Sequence, residues 1–213
     1  NKVVKNHDDY RIPVFTCQLA HDSSNHEGKV SGKKLIEVKL DGVRVLTVVY
    51  PDGRVDQFSR NGKELLNFDH IKEQISNVVK IDPPPYPLVL DGEVMSSSFQ
   101  DLMKQVHRKD NVEANDAVLH LFDFVPLEDF EKGIWNKEQE QRSHMLYHWH
   151  KKHKDLMPNL AVVGHELVDL DTVEGDNRLK EINAHAIAGG YEGIMMKNPN
   201  APYECKRSVA WLK

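Results

Sequence analysis

The sequence contains few of the residues that characterise secreted, membrane-spanning or repetitive proteins. Its only cysteines among 213 residues are Cys17 and Cys205, too few for a disulfide framework, so we expect a reducing, cytoplasmic location. No stretch approaches the roughly 20 consecutive apolar residues of a membrane span, and no apolar secretory signal opens the chain. Internal repeats, long Gly/Ser linkers and a P-loop are also missing. The sequence therefore does not predict a membrane protein or a disulfide scaffold.

What remains is an ordinary globular composition, with 39% hydrophobic and 29% charged residues and a formal net charge of -5. A chain of this length can form one good-sized core, with or without a small appendage. The acidic balance neither supports nor excludes a nucleic-acid partner, because phosphate contacts depend on where the basic residues lie. Composition alone leaves the function open.

The pattern of apolar residues indicates a mixed fold. Runs rich in β-branched and aliphatic residues predict strands at 35–40, 43–50, 55–59, 88–95, 118–125, 160–170 and 193–197. Helical spacing predicts helices at 67–79, 99–106, 137–153 and 172–188, the third with Met145, Leu146 and Trp149 facing inward. The ends of the chain, 1–30 and the basic stretch after 197, are predicted to be irregular. Strands outnumber helices without strict alternation, so the predicted fold class is α+β, with antiparallel strands joined by tight turns.

The segment 37–44, Glu-Val-Lys-Leu-Asp-Gly-Val-Arg, places a lysine at the end of an apolar strand and just before a glycine turn. Burying Lys39 costs free energy unless a partner or a lowered pKa compensates, and such a lysine can act as a nucleophile. Gly42 permits a sharp turn that brings Arg44 back towards the same cavity. Taken alone, the segment is explained equally well by a surface hairpin with a type I′ turn at Asp-Gly.

Four later segments carry carboxylates, aromatics or lysines in or beside strands: Leu-Asp-Gly-Glu at 90–93, Leu-Phe-Asp at 121–123, Glu-Gly-Ile-Met-Met-Lys at 192–197 and Trp-Leu-Lys at 211–213. Each has an ordinary explanation, such as a hairpin for Glu93, core packing for Phe122 or a solvated strand end for Lys197. Their joint occurrence in this order is far rarer by chance than any one of them.

In this order the segments resemble the motifs of the covalent nucleotidyltransferases, the superfamily of ATP-dependent DNA ligases, RNA ligases and mRNA capping enzymes. Ser-Arg-Asn-Gly at 59–62 resembles a further ligase element. Glu37, this element and the strand at 192–197 are similar to DNA ligases of the phage type, and the resemblance covers 13–213. It implies the ATP-grasp-like adenylation fold of ligases, an α+β fold in which antiparallel sheets flanked by helices enclose the nucleotide pocket.

The resemblance also implies a reaction. Lys39 is expected to attack the α-phosphate of ATP, which leaves AMP covalently attached to this lysine. AMP then passes to the 5′-phosphate of a DNA nick, and the 3′-hydroxyl displaces it to seal the strand. The expected cofactors are ATP and Mg²⁺, and the expected partner is nicked duplex DNA. Nucleotide-binding roles are implied for Glu37, Arg44, Arg60, Glu93, Phe122, Met195, Lys197 and Lys213.

Around the base and the phosphates, the implied roles agree with side-chain chemistry. Glu37 is expected to accept a hydrogen bond from the adenine amino group, which favours ATP over GTP. Phe122 and Met195 are expected to hold the base between an aromatic face and a thioether. Lys197 and Lys213 supply positive charge to the phosphoryl oxygens.

The remaining implied roles concern the sugar, the metal and the nick. Arg44 is expected to contact the sugar or phosphate of the nucleotide, and Arg60 the 5′-phosphate of the nick. Glu192 and Glu93 are candidate Mg²⁺ ligands, directly or through water, because Mg²⁺ prefers oxygen. Glu192 is the main metal candidate, and Glu93 is also expected to meet the ribose.

The family usually continues with a second lysine beyond Lys213 and with a smaller OB-fold domain, and this chain stops first. We expect 1–213 to form one nucleotidyltransferase (adenylation) domain, with 1–30 as an irregular N-terminal segment and the C-terminal OB-fold domain absent from this chain. Slow self-adenylation and weak unaided nick sealing are the expected consequences. The resemblance further implies a monomer that clamps DNA, with no membrane partner.

Other features are assigned no function. His144 and His148 have the i, i+4 spacing of some zinc ligands but lack further acidic or cysteine ligands, so a solvated helix face is expected. The basic stretches 104–109 and 150–154 are predicted to be solvent-exposed surface, with contact to DNA phosphates as the alternative. Three alternative functions stay open: an RNA ligase or capping guanylyltransferase, an inactive nucleotide- or DNA-binding module, and an unrelated α+β domain with coincidental motifs.

Overall fold

The computed structural model describes residues 17–96 and 113–213. These residues form two five-stranded sheets and one two-stranded ribbon. The first sheet has the strand order β1 (Leu19–His21), β12 (Arg207–Leu212), β10 (Gly193–Lys197), β2 (Lys33–Lys39), β9 (His165–Asp169). The second has the order β4 (Val55–Ser59), β3 (Val43–Val49), β5 (Leu88–Met95), β6 (Val118–Pro126), β8 (Leu160–Val162). A small ribbon pairs β7 (Ile134–Trp135) with β11 (Tyr203–Glu204). Pairing among the described strands is antiparallel except for β1 with β12 and β6 with β8.

Four α-helices in the described residues pack on the two sheets, and the second of them joins the apolar cluster of Tyr203 and Trp211 between the sheets. They are α1 (Asp69–Ile81), α2 (Leu127–Lys132), α3 (Gln139–His153) and α4 (Val173–Ala188), with 3₁₀ turns at Ser23–Asn25, Glu27–Lys29 and Lys154–Leu156. Helices α1 and α3 pack on the second sheet, where Ile71 and Leu146 join one apolar cluster with Leu121. Helix α4 packs on the first sheet through Leu179 against Ile36. None of the helices in the described ranges is long and apolar enough to cross a membrane.

The chain passes from one sheet to the other within the segment 37–44. Strand β2 pairs with β9 and β10, whereas β3 pairs with β4 and β5. The hairpin alternative is therefore wrong, because consecutive strands β2 and β3 belong to different sheets. Gly42 lies at this crossing, where a Cβ atom would come within 2.2 Å of the Val94 carbonyl oxygen. The glycine is needed for this close backbone approach.

Several expectations about elements are corrected. The single strand predicted at 160–170 is two strands, β8 in the second sheet and β9 in the first, because the chain crosses between the sheets again. The stretch after 197 is not irregular but forms β11 and β12. Residues 17–30, expected to be irregular, contain β1 and two 3₁₀ turns. The helix predicted at 99–106 lies outside the described residues.

Helix α3 has a largely polar inward face. Leu146 is buried as expected, but Met145 is 45% exposed. The helix instead buries Gln139, Arg142 and Ser143. The prediction for Met145 was wrong because apolar spacing was used to orient a helix whose inward contacts are mostly hydrogen bonds. The α+β class itself is confirmed by the sheets and helices.

Candidate active site

A cavity of about 220 Å³ lies between the inner faces of the two sheets. Alternate residues of a strand share a face, so β2 and β10 each direct two side chains, two positions apart, into the cavity. Trp211 of β12 and Lys213, which follows that strand, have the same spacing. The first sheet supplies Glu37, Lys39, Met195, Lys197, Trp211 and Lys213, and the second supplies Arg44, Arg60, Glu93 and Phe122. The structure thus brings the expected nucleophile and all the expected nucleotide-binding residues to one cavity.

The expected nucleophile is held by a carboxylate. Lys39 ends β2 opposite Gly193, so Glu192 lies at the adjacent strand end. Lys39 Nζ and Glu192 Oε2 are 2.5 Å apart, with 27% and 51% of the two side chains exposed. The hydrogen bond from Lys39 lowers the pKa of Glu192. Glu192 lies outside the inter-sheet cavity and lines an adjoining cleft that shares Lys39 and Lys213 with it.

A second lysine–carboxylate pair is buried deeper in the cavity. Lys197 Nζ lies 2.9 Å from Glu37 Oε1, and both side chains are almost fully excluded from solvent. The same ammonium lies 4.2 Å from the ring centroid of Trp211 and 4.7 Å from that of Phe122. Burial raises the pKa of Glu37, while the charge and hydrogen bond of Lys197 act in the opposite direction. An aromatic cage around an ion pair therefore forms one wall of the cavity.

Arg44 is fixed by a carboxylate to which sequence reasoning gave no role. Its Nε and Nη2 donate to the two carboxylate oxygens of Asp91 at 2.6 and 2.7 Å, and Nη2 also donates to the Gln18 carbonyl at 2.8 Å. The Tyr203 hydroxyl donates to Asp91 at 2.6 Å. Such a bidentate pair orients the guanidinium plane. The only sequence signal for Asp91 was its place in Leu-Asp-Gly-Glu, two residues before Glu93 and therefore on the same face of β5.

Glu93 lies in the cavity beside the crossing of the chain. The backbone N–H of Gly42 donates to Glu93 Oε2 at 3.2 Å. Burial raises the pKa of Glu93 to about 7, against the opposing charge of Arg44. This carboxyl group consequently changes charge near neutral pH.

A β-bulge directs two consecutive residues of β6 to the cavity side. Asp91 pairs with Asp123 and Gly92 pairs with Leu121, so Phe122 is the extra residue of the bulge. Phe122 therefore lines the cavity while Asp123 stays on the same side of the sheet. Without the bulge, period-two alternation would turn Asp123 to the opposite face.

Asp123 anchors a buried polar network that sequence reasoning missed. Its two oxygens accept from Arg142 Nε at 2.8 Å and Nη2 at 3.0 Å. Arg142 donates onward to Gln139 at 2.7 Å, and the same Gln139 oxygen accepts from the Trp211 indole at 2.8 Å. Asp123 and Arg142 are wholly buried. The network links α3 to the aromatic ring that contacts Lys197.

The remaining expected residues lie around the cavity. Arg60 follows β4, Met195 pairs with Glu37 across the first sheet, and Lys213 follows β12. Arg207, which was not predicted, also lines the cavity, and its Nη1 donates to the Ala20 carbonyl at 2.6 Å. Arg207 adds a cation beside the position of Arg60 and Lys213, in the segment predicted to be irregular.

The histidines of α3 are engaged in packing and surface contacts. The rings of His144 and His148 are 4.2 Å apart, His150 Nε2 bonds the Leu160 carbonyl at 3.0 Å, and His153 Nε2 bonds Asp82 at 2.8 Å. In the described residues, no three His, Cys, Asp or Glu side chains are grouped so that they could hold a metal ion. The basic stretch 104–109 lies outside the described residues.

Lys39 at the edge of an inter-sheet cavity lined by cations, carboxylates and aromatics agrees with the arrangement expected of a covalent nucleotidyltransferase. The chain belongs to the ATP-dependent DNA ligase family: residues 17–213 match the family described as ATP dependent DNA ligase domain. The expected membership is thereby confirmed.

Relatives and solved structures agree with this assignment. The DNA ligase of Halobacterium salinarum is 30% identical over 193 residues, covering 84% of this chain and 31% of that protein. The chain thus spans about a third of that curated relative. A solved structure named Pmar-Lig_PreS3 shares 57% identity at a TM-score of 0.91 and covers 97% of this chain and 48% of that chain.

More distant structures show the fold. The ATP-dependent DNA ligase of bacteriophage T7, in complex with ATP, has a TM-score of 0.75 at 18% identity, covering 93% of this chain and 68% of that chain. The Chlorella virus DNA ligase-adenylate has a TM-score of 0.66 at 19% identity, covering 94% and 68%. The predicted nucleotidyltransferase fold is confirmed by these likenesses.

Proposed function

We propose that Lys39 takes AMP from ATP and that the AMP passes to the 5′-phosphate of a nick in duplex DNA, where the 3′-hydroxyl displaces it and seals the strand. The observation that carries this proposal is the position of Lys39. It is partly exposed at the junction of the inter-sheet cavity and the adjoining cleft, with Lys197, Lys213 and Arg44 around the same cavity.

The first step needs a neutral Lys39 amine. The neutral nitrogen forms a bond to the α-phosphorus while the bond from that phosphorus to the pyrophosphate oxygen breaks, and pyrophosphate leaves. The nitrogen then gives up one of its two protons to solvent. Lys39 Nζ donates to Glu192 Oε2 at 2.5 Å, so its nitrogen is engaged by this carboxylate. The lysine therefore has to leave Glu192 when it attacks. Lys197 and Lys213 can offset the charge on the non-bridging oxygens.

The base site is proposed around Glu37, which is buried more deeply in the cavity than Lys39. Phe122 and Met195 enter it from opposite sheets, which fits a planar ring between them. Glu37 is an acceptor, so it can bind the 6-amino group of adenine but not the 6-oxo group of guanine. This favours ATP and disfavours a capping-type enzyme that takes GTP.

Mg²⁺ is proposed as the metal. Glu192 is half-exposed and its pKa is lowered, so it is ionised at neutral pH, as a Mg²⁺ ligand must be. Glu93 can add a second oxygen when it is deprotonated, above its pKa of about 7. The donor set fits an ion that is held by one or two carboxylates and otherwise by phosphates and water. When bound, the ion would neutralise phosphate charge.

The DNA acceptor and the surroundings of the domain are also proposals. Arg60 and Arg207, both on the rim of the cavity, are suited to the phosphates at the nick. Both cysteines are free, which supports a reducing, cytoplasmic setting. We further propose that residues 1–213 act as one adenylation domain of a monomeric ligase.

The test separates the nucleotide from the acceptor. The protein is incubated with Mg²⁺ and labelled ATP or GTP, and then with nicked duplex DNA or with the same nick on an RNA strand. Label bound from ATP alone and passed to the DNA 5′-phosphate supports the proposal. Label from GTP, or transfer to RNA only, supports the capping or RNA-ligase alternative. A pre-adenylated nick then tests sealing without the first step, and no label and no sealing would indicate a binding module.

A further inference from the structure

The Glu37–Lys197 pair occupies the place where the base is proposed to bind. Glu37 is the proposed hydrogen-bond acceptor for the adenine amino group, yet in this structure its Oε1 lies 2.9 Å from Lys197 Nζ. Phe122 is the proposed stacking surface, yet the same ammonium lies 4.7 Å from its ring centroid. Base and ammonium thus compete for one carboxylate and one aromatic ring.

A buried ion pair cannot lose one partner without replacement. Lys197 is 1% exposed and Glu37 is 3% exposed. Withdrawal of Lys197 alone would leave a buried, unpaired carboxylate, which is strongly unfavourable. A donor that takes the vacated position on Glu37 removes that penalty, because a charged acceptor forms strong hydrogen bonds with neutral N–H groups as well.

We infer that adenine binding releases Lys197: the 6-amino group of the base replaces the lysine ammonium on Glu37, and the freed ammonium turns to the phosphates of the same nucleotide. This inference rests on the proposed function. The 6-amino group would then act on the rate of AMP transfer as well as on affinity, because it sets the position of a cation used in the transition state. Guanine presents an acceptor to Glu37 and would leave Lys197 in place.

The ring contacts of Lys197 supply no formal negative charge, so its release depends on a single carboxylate. Trp211 lies 4.2 Å from the ammonium, and its indole is fixed by a 2.8 Å hydrogen bond to Gln139. Phe122 and Trp211 surround the cation without a second carboxylate, since among the described residues Lys197 forms a salt bridge with Glu37 alone. Lys197 thus has a single charged partner to give up.

The test compares ATP with purine riboside triphosphate, which has hydrogen in place of the 6-amino group. Binding is measured at equilibrium on the Lys39→Ala protein, and AMP or purine-nucleotide transfer to Lys39 is measured in single turnovers of the wild type. The inference expects the transfer rate constant at saturating nucleotide to fall by on the order of 100-fold without the amino group, in line with the loss of a hydrogen bond to a charged group. Equal rate constants with weaker binding alone would overturn it.

Two variants complete the test. Glu37→Gln keeps an acceptor for the amino group but removes the charge that retains Lys197, so the ratio of the two rate constants should move to within about tenfold of one. Arg178→Met changes an exposed ion pair with Glu166 that does not line the cavity, and it should leave the ratio at its wild-type value. An unchanged ratio in Glu37→Gln would overturn the inference. Absence of any adduct from ATP in the wild type would instead overturn the proposed function, so the two failures are distinguishable.

Discussion

Arg44 and Asp91 lie on adjacent strands of the second sheet, diagonally across the register, and are joined by two hydrogen bonds of 2.6 and 2.7 Å. The pair fixes a cation in the wall of the cavity, and the Tyr203 hydroxyl bonds the same carboxylate at 2.6 Å. The position of Arg44 therefore depends on a buried residue rather than on the nucleotide.

Asp91→Asn should destabilise the protein and slow AMP transfer. Replacing the carboxylate leaves the Arg44 charge without its buried partner, which costs about 3–5 kcal/mol when one member of a buried pair is removed. Unfolding in urea measures this loss, and adduct formation with ATP measures the effect on the site. Tyr203→Phe, which removes only the hydroxyl donor to Asp91, should cost about 1 kcal/mol. Equal stability of the wild type and Asp91→Asn would contradict this account.

Arg142→Met should be far more damaging than a comparable change at the surface. Arg142 and Asp123 are wholly buried, so the variant leaves an unpaired carboxylate and should lose about 3–5 kcal/mol. The matched control is Arg178→Met, because Arg178 pairs with Glu166 where both side chains are more than 40% exposed. That pair should contribute less than about 1 kcal/mol. Similar losses in the two variants, measured by urea unfolding, would refute the role of the buried network.

Gly42→Ala should disrupt the crossing between the sheets. A Cβ atom there would lie 2.2 Å from the Val94 carbonyl oxygen and 2.6 Å from the Met95 sulfur, so the backbone must shift. We expect a loss of about 1–3 kcal/mol, as for overpacked sites, and slower AMP transfer because Lys39 is close by in the chain. Gly28→Ala is the control, since nothing lies within 4 Å of a Cβ at Gly28. Its effect should stay within about 0.5 kcal/mol.

Glu93 should make stability depend on pH in the absence of metal. Burial raises the pKa of Glu93 from 4.5 to about 7 in the folded protein. The folded state then binds the proton more tightly than the unfolded state, so this contribution is fully present below about pH 4.5 and is lost as the pH rises to about 7. Glu93→Gln should not show this loss. Relative to the wild type, the variant should become more stable between pH 5 and 7 by up to about 2 kcal/mol.

The comparison is made by urea unfolding in EDTA, at several pH values below and above the pKa of Glu93. Glu192→Gln serves as the control, because the hydrogen bond from Lys39 lowers the pKa of Glu192 below 4.5, so that this group does not titrate in the range where Glu93 does. Parallel stability curves for the wild type and Glu93→Gln across this range would show that Glu93 titrates normally.

The sequence predicted the parts of the site that depend on local pattern. Glu37 and Lys39 share a face because they are two positions apart in a strand, and the same holds for Met195 and Lys197. The motif around Lys39 also suggested a turn at Gly42. It did not show that the turn joins two sheets, because glycine serves the same purpose in a tight hairpin and in a connection between two sheets: it permits a close or strained backbone conformation.

What the sequence could not predict depends on distant partners and on register. Asp123 meets Arg142 across 19 positions, and Tyr203 meets Asp91 across 112. The bulge at Phe122 shifts the register of β6. Apolar periodicity does not reveal it, because Leu121 and Phe122 are both apolar and the alternation of the strand is lost there. Arg142 itself was missed because an arginine in a polar helix predicts a solvent-exposed side chain.

The most direct test of the central claim is to locate the nucleotide on the chain. The protein is incubated with Mg²⁺ and ATP, its intact mass is recorded, and the adduct is mapped to a peptide. Lys39→Arg and Lys180→Arg are treated in parallel, since both lysines line the adjoining cleft. The account predicts one AMP on Lys39 in the wild type and in Lys180→Arg, and none in Lys39→Arg. An adduct that persists in Lys39→Arg, or maps to another residue, would contradict it.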